Sequence, residues 1–374
     1  MTAPSGVAPA LAVRDATEAD NDALVALAAA CPMEGDVTLR MDRAPDFFAL
    51  NRLEGDAWRV GIACDADDRM IGCVAVARRP AWLNGVETTT GYVGDLKVHP
   101  RARRSGAADL LSRYAADTSA ALCGEDARVL VTILAGNARM ERRARGPRGT
   151  PVLARFATLE VAAVPLLWER RERVAGLAIR SATDADCEAM AALWGGIAPG
   201  RQLAPAVDAA SLAAWIGRAP GLTFSDYLLA QDARGRLRGF LGVWDQASFK
   251  QMRVVSYSRR LAVARRAINL VAPLAGVAEL PTPGNALPAL ATTHVCANDA
   301  ATLRALLLEA YRRHRGGRHA FLTLGLDVRD PLRAALRGLL APPTLVHAYV
   351  TSPRGAAEPE LLAGLPLHHE TALV

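Results

Sequence analysis

The sequence predicts a mixed α/β chain, with an α+β mixed sheet, built from two related halves. Three observations predict it. A chain of 374 residues exceeds one ordinary domain and suits two of about 150–190. A hydrophobic fraction of 51% beside 22% charged residues is a globular balance, not a disordered one. Most informatively, the chain resembles itself: residues 11–20 read LAVRDATEAD and residues 177–186 read LAIRSATDAD, identical at seven of ten positions with an offset of 166.

Each copy opens with a short strand (11–16; 177–182), followed by a capping box. Thr17 with Asp20, and Thr183 with Asp186, have the spacing that satisfies orphan N–H groups at a helix start. Apolar residues then recur at helical spacing, Leu24, Leu27, Ala28 and Cys31 in one copy and Met190, Leu193 and Trp194 in the other. After a second helical stretch come two strands separated by a polar turn (58–64 and 70–77; 227–231 and 237–244). The first copy continues with a strand at 92–98, a helix at 106–122, a strand at 129–134, a short helix from Asn137 and strands over 152–164. The second has a strand at 290–296, a helix at 300–314, a strand at 320–326, a helix at 331–340 and a strand at 344–351. An insertion over 258–287 lengthens the second copy, with a helix at 261–274 and a Pro/Gly-rich loop at 281–285. The expected domains are therefore 8–168 and 177–353, joined by a charged linker, with a tail or packing arm at 354–374.

Six scattered cysteines include no C-x-x-C pair, which argues against a zinc ribbon or a disulfide framework. Among 44 basic residues only Lys97 and Lys250 are lysines. A net charge of +6 attracts phosphate-bearing ligands but is modest for a nucleic-acid binder, and 5% aromatics are too few for base stacking. No apolar run is long enough to span a bilayer, and the start lacks a basic segment ahead of an apolar one. A cytoplasmic protein with neither a nucleic-acid nor a membrane partner is expected.

Residues 93–111, VGDLKVHPRARRSGAADLL, read as a strand, an Arg/Gly loop and an amphipathic helix. Small residues at the helix start (Ser105, Gly106, Ala107, Ala108) leave its N–H groups open to close approach. Together with the positive end of the helix dipole and Arg101, Arg103 and Arg104, they form an anion site suited to a pyrophosphate.

At these residues the chain resembles the GNAT superfamily of acyl-CoA N-acyltransferases. Val98, Pro100, Arg103, Gly106 and Ala108 fit that family's V-x-P and R/Q-x-x-G-x-G/A signature, and Asn137 opens the helix after the next strand, as in the family. The resemblance implies two tandem GNAT-like domains, the second degenerate. It implies a pyrophosphate cradle at Arg103, Arg104, Ser105, Gly106, Ala107 and Ala108, pantetheine contacts at the Leu96 and Val98 main chain, and a coenzyme contact at Asn137, which is equally a good N-cap. The implied activity is transfer of an acyl group from acyl-CoA, with acetyl-CoA expected, to a small-molecule or peptide amine. The alternative is a non-catalytic acyl-CoA sensor.

Asp95 is the carboxylate on the signature strand and stands as either general base or structural acceptor. The family's thiolate-protonating tyrosine falls at Ala144 here, so either another group or water supplies that proton or turnover is modest, a coenzyme A thiol being acidic enough to leave unaided in part. Arg139, Arg142, Arg143, Arg145 and Arg148 form either a phosphate contact or a solvated helix face. His99 reads as exposed, Cys123 as buried and inert, and His368 with His369 lacks partners for a metal. In the second copy the loop reads His294-Val295-Cys296-Ala297-Asn298-Asp299, without Arg or Gly, and Asp299 would repel a pyrophosphate.

Overall fold

Thr17 and Thr183 open equivalent turns. A computed structural model describes residues 11–146, 149–353 and 364–374. In it each threonine caps a 3₁₀ turn, and Asp20 or Asp186 accepts the cap N–H at 2.8 Å. Arg14 and Arg180, on the preceding strands, grip the same two carboxylates.

The first half runs β1 (Ala12–Asp15), α1 (Asn21–Ala29), β2 (Val37–Asp42), one-turn α2 (Asn51–Glu54), β3 (Ala57–Cys64), β4 (Met70–Leu83), β5 (Val86–Val98), α3 (Ala107–Cys123), β6 (Arg128–Leu134), α4 (Ala138–Arg143) and β7 (Ala154–Pro165). The β4–β5 hairpin is longer than its apolar pattern suggested. Asn84 and Gly85, at φ 53° and 78°, form its turn, where left-handed backbone matches the strand twist.

The second half runs β8 (Leu177–Ser181), α5 (Cys187–Ile197), β9 (Ala204–Pro205), α6 (Ala209–Arg218), β10 (Tyr227–Asp232), β11 (Leu237–Trp244), β12 (Gln251–Tyr257), α7 (Arg259–Ala275), β13 (Ala289–Ala297), α8 (Ala300–His314), β14 (Phe321–Asp327) and β15 (Pro343–Thr351). The helix expected at 331–340 is only a 3₁₀ turn, Pro331–Leu336. Gly338, at φ 72°, and the prolines at 342 and 343 stop it from propagating.

The main sheet takes the order β1-β3-β4-β5-β6-β15-β7-β14-β13-β11-β10-β8, with β9 added to β4. β15, from the end of the second half, lies antiparallel between β6 and β7, while β7 continues the ladder to β14. One mixed sheet therefore runs through both halves. Strands β6, β7 and β15 are central in it. α3 covers β3 and β4 through Ala107, Leu111 and Ala115, and α8 covers the second half through Leu303, Leu306 and Leu307. β12, just ahead of α7, pairs with β2 and ties the second half to the first.

The described part of the terminal segment, 364–374, is largely buried. Leu367, His369, Ala372 and Leu373 are each less than a tenth exposed, and the Leu367 N–H donates to Asp327 at 2.7 Å.

Candidate functional site

β5 and β6 are parallel partners only from Thr90↔Arg128 to Val93↔Val131. Beyond that point β6 follows β15, whereas β5 stays with β4. A bulge in the β4–β5 ladder falls opposite Asp95, whose φ of 52° is left-handed. The two parallel strands therefore splay where β5 carries Leu96 and Val98. Both side chains pack against the cluster that holds Ala107, Leu111 and Ala115 of α3, and the β5 main chain there has no β6 partner.

At the mouth of the splay the chain turns into α3. Arg103 is extended, Arg104 is left-handed at φ 91°, and Gly106 is left-handed at φ 92° as the N-cap of α3. The Ser105 N–H turns back to Ala102, and the Ser105 hydroxyl accepts the Ala107 N–H at 3.2 Å. Within the described chain the Arg104, Gly106 and Ala108 N–H groups have no partner. Donors left free by alternating left-handed residues at a helix start make an anion concavity. Arg104 and Ser105 are exposed and Arg103 is half-buried, so the cradle opens to solvent.

Asn137 is exposed, and its side-chain carbonyl accepts the Met140 N–H at 3.2 Å, so it caps α4. Ala144 is buried beside Ile133 and Tyr349. Of the basic cluster, Arg143 is committed to Ser112 and Asp109 of α3, whereas Arg139, Arg142 and Arg145 are exposed; Arg148 lies outside the described residues. His99 accepts the Arg101 N–H at 3.3 Å. Cys123 is half-buried where a buried thiol was expected, and desolvation still pushes that thiol up to about 11.

Asp95 behaves unlike a free base. It is wedged between Arg43, 2.5 Å away, and Lys97. Burial alone would raise its pKa, but the two cations hold the carboxyl well below the usual range. Arg43 is itself buried, lies over the Phe47 ring and donates to Asn51. Lys250 senses Arg43, Asp95 and Lys97, and burial lowers its ammonium to about 7. Its Nζ donates to the Ala372 and Val374 carbonyls. Sequence reasoning missed Arg43 and Lys250. The rarity of lysine singles out Lys97 and Lys250 in the sequence, but only the structure shows that Lys97 pairs with Asp95 and that Lys250 lies within its electrostatic reach.

The second half repeats the splay but fills it. β13 and β14 pair only over Ala289–Ala291, the β11–β13 ladder is bulged, and His294 takes φ 48° where Asp95 does in the first half. The terminal segment plugs the gap. Glu370 accepts the His294 N–H at 2.9 Å, and Thr371 packs so tightly on Gly325 that a Cβ there would lie 2.1 Å from it. Beside the plug a cavity of about 10 Å³, room for one water, is lined by His368, His369, Arg201 and Asp330. Burial raises the Glu370 carboxyl to about 7 and lowers the His369 imidazole to about 3. Asp299 caps α8, accepting the Thr302 N–H at 2.7 Å. Among the described residues no group of three His, Cys, Asp or Glu is placed to hold a metal. No helix among them is long and apolar enough to cross a membrane.

A bulged strand splayed from its parallel neighbour and leading into a Gly-capped helix belongs to the GNAT fold, which the chain has. Among solved structures it is similar to a GCN5-related N-acetyltransferase from Sphaerobacter thermophilus, at 17% identity and TM-score 0.60 over 94% of this chain and 98% of that one. It is also similar to the N-myristoyltransferase of Saccharomyces cerevisiae with bound myristoyl-CoA, at 10% identity and TM-score 0.61 over 93% and 83%. A GCN5-related N-acetyltransferase from Anabaena variabilis matches at 12% identity and TM-score 0.54 over 92% and 73%. No family model and no curated protein matches the sequence.

Proposed function

We propose that this protein is an acyl-CoA-dependent N-acyltransferase that binds the coenzyme in its N-terminal half and uses acetyl-CoA. The observation that carries the reading is the continuous path from the Asp95 bulge, along the open edge at Leu96 and Val98, to the unpartnered N–H groups of Arg104, Gly106 and Ala108. Main-chain groups on the open edge hold the pantetheine arm, and the loop with Arg103 holds the pyrophosphate. The neutral amine nitrogen attacks the thioester carbonyl, the C–S bond breaks, and the proton that the nitrogen loses passes to water and on to the departing thiolate. Asp95, ionised between two cations, serves as their anchor and not as the proton acceptor. With Ala144 buried and lacking a hydroxyl, the thiolate departs unaided or takes its proton through water. The second half, tied in through β2 and β12, shapes the acceptor side.

Calorimetry with acetyl-CoA tests the coenzyme reading: one site per chain is expected, and no heat at millimolar ligand sinks it. The second reading, an acyl-CoA sensor without turnover, is favoured by the same two residues, Asp95 and Ala144. Thiol release across a panel of small-molecule and peptide amines separates the two, since a sensor releases none above background.

A further inference from the structure

Helix α7 presents an apolar stripe to solvent. Val263, Leu270 and Leu274 are 67%, 80% and 92% exposed. Their spacing, seven and then four residues, sets them along one line of the helix opposite buried Ala272. The inward face packs within this chain: Asn269 exchanges two hydrogen bonds with the Leu280 main chain, and Arg265 lies over the Tyr257 ring, its buried Nε without a partner among the described residues. Among the described residues nothing covers the stripe.

Charge identifies what it meets. Exposed Arg259 and Arg266 flank the stripe on one side and exposed Arg260 on the other, none of them in an ion pair among the described residues. No Asp or Glu occurs between Asp245 and Glu279. Leucines standing out from a helix between arginines match an interface that is apolar at depth and anionic at its surface. A second copy of the chain fits less well. Face-to-face α7 helices would oppose arginine to arginine, and one stripe falls far short of the roughly 20–30 residues per side of a stable dimer.

We infer that α7 docks on an anionic phospholipid surface, with Val263, Leu270 and Leu274 inserted and Arg259, Arg260 and Arg266 at the headgroups. This revises the expectation of no membrane partner, which considered only a spanning segment, and it is independent of the acyltransferase reading.

The test is co-sedimentation of the full chain with vesicles of phosphatidylcholine alone or mixed equally with phosphatidylglycerol. Binding is expected only to the mixed vesicles and weakens as salt rises. The double variant L270E/L274E should bind at least about tenfold more weakly, since it removes two inserted leucines and adds repulsion. Each of Arg259→Ala, Arg260→Ala and Arg266→Ala should weaken binding about fivefold. Unchanged melting temperatures show that the variants fold, as the exposure of these side chains leads one to expect. Failure of the wild-type chain to bind mixed vesicles, or equal binding by L270E/L274E, overturns the inference. So does a dimer in light scattering that L270E/L274E dissolves while vesicle binding is absent.

Discussion

Gly106 and Asp95 occupy unusual backbone, and each is tested by one substitution. Gly106→Glu forces a side chain onto φ 92° and sets a negative charge at the start of α3. It should abolish most acyl-CoA affinity in calorimetry while the fold, read by circular dichroism, survives. Arg103→Ala should cost about 10- to 150-fold in affinity, the worth of one charge-assisted contact. Asp95→Asn leaves buried Arg43 without its carboxylate and should cost roughly 3–5 kcal/mol in urea unfolding; wild-type stability would refute the anchoring role. Glu370 makes a pH prediction. Its folded pKa of about 7 lies above the ordinary 4.5, so the folded chain binds the proton more tightly than the unfolded one. The stability this contributes is full below pH 4.5 and is lost as pH rises through 7, amounting to about 3 kcal/mol. Glu370→Gln keeps an acceptor for the His294 N–H, so unfolding measured against pH should lose that slope.

At the scale of elements, the two splays are equivalent in backbone and opposite in use. The β5–β6 splay leads to an open cradle, and the β13–β14 splay holds 367–371. Gly325→Val should push Thr371 from its seat and destabilise the chain, while acetyl-CoA binding per folded molecule stays unchanged. Asp299→Ala should cost about 1 kcal/mol as a lost helix cap and change acyl-CoA affinity by less than about threefold. A loss of coenzyme binding in Asp299→Ala would place the site in the wrong half.

For the whole molecule, β15 between β6 and β7 makes the sheet a joint product of both halves. A chain ending before Pro343 would expose the β6 and β7 edges and should neither melt cooperatively nor bind acyl-CoA. The intact chain should unfold in one calorimetric transition. Two transitions, with the first half melting as it does alone, would show that the shared ladder is energetically minor.

What the sequence determined by itself was local. The capping boxes at Thr17 and Thr183, the apolar spacing of α3 and α8, and the Arg103–Gly106 turn depend on residues a few positions apart, whose chemistry constrains the nearby backbone whatever the rest does. Tertiary structure decided what depends on long separations. A period-two pattern says that β15 is a strand but not that its neighbours are β6 and β7, because many pairings bury the same apolar faces. Nothing near Arg43 or Lys250 marks them as partners of Asp95's surroundings, and a buried charge is interpretable only once its counter-charges are known. The chain's last residues carry little periodicity, and only the β13–β14 splay that they fill explains why they are buried.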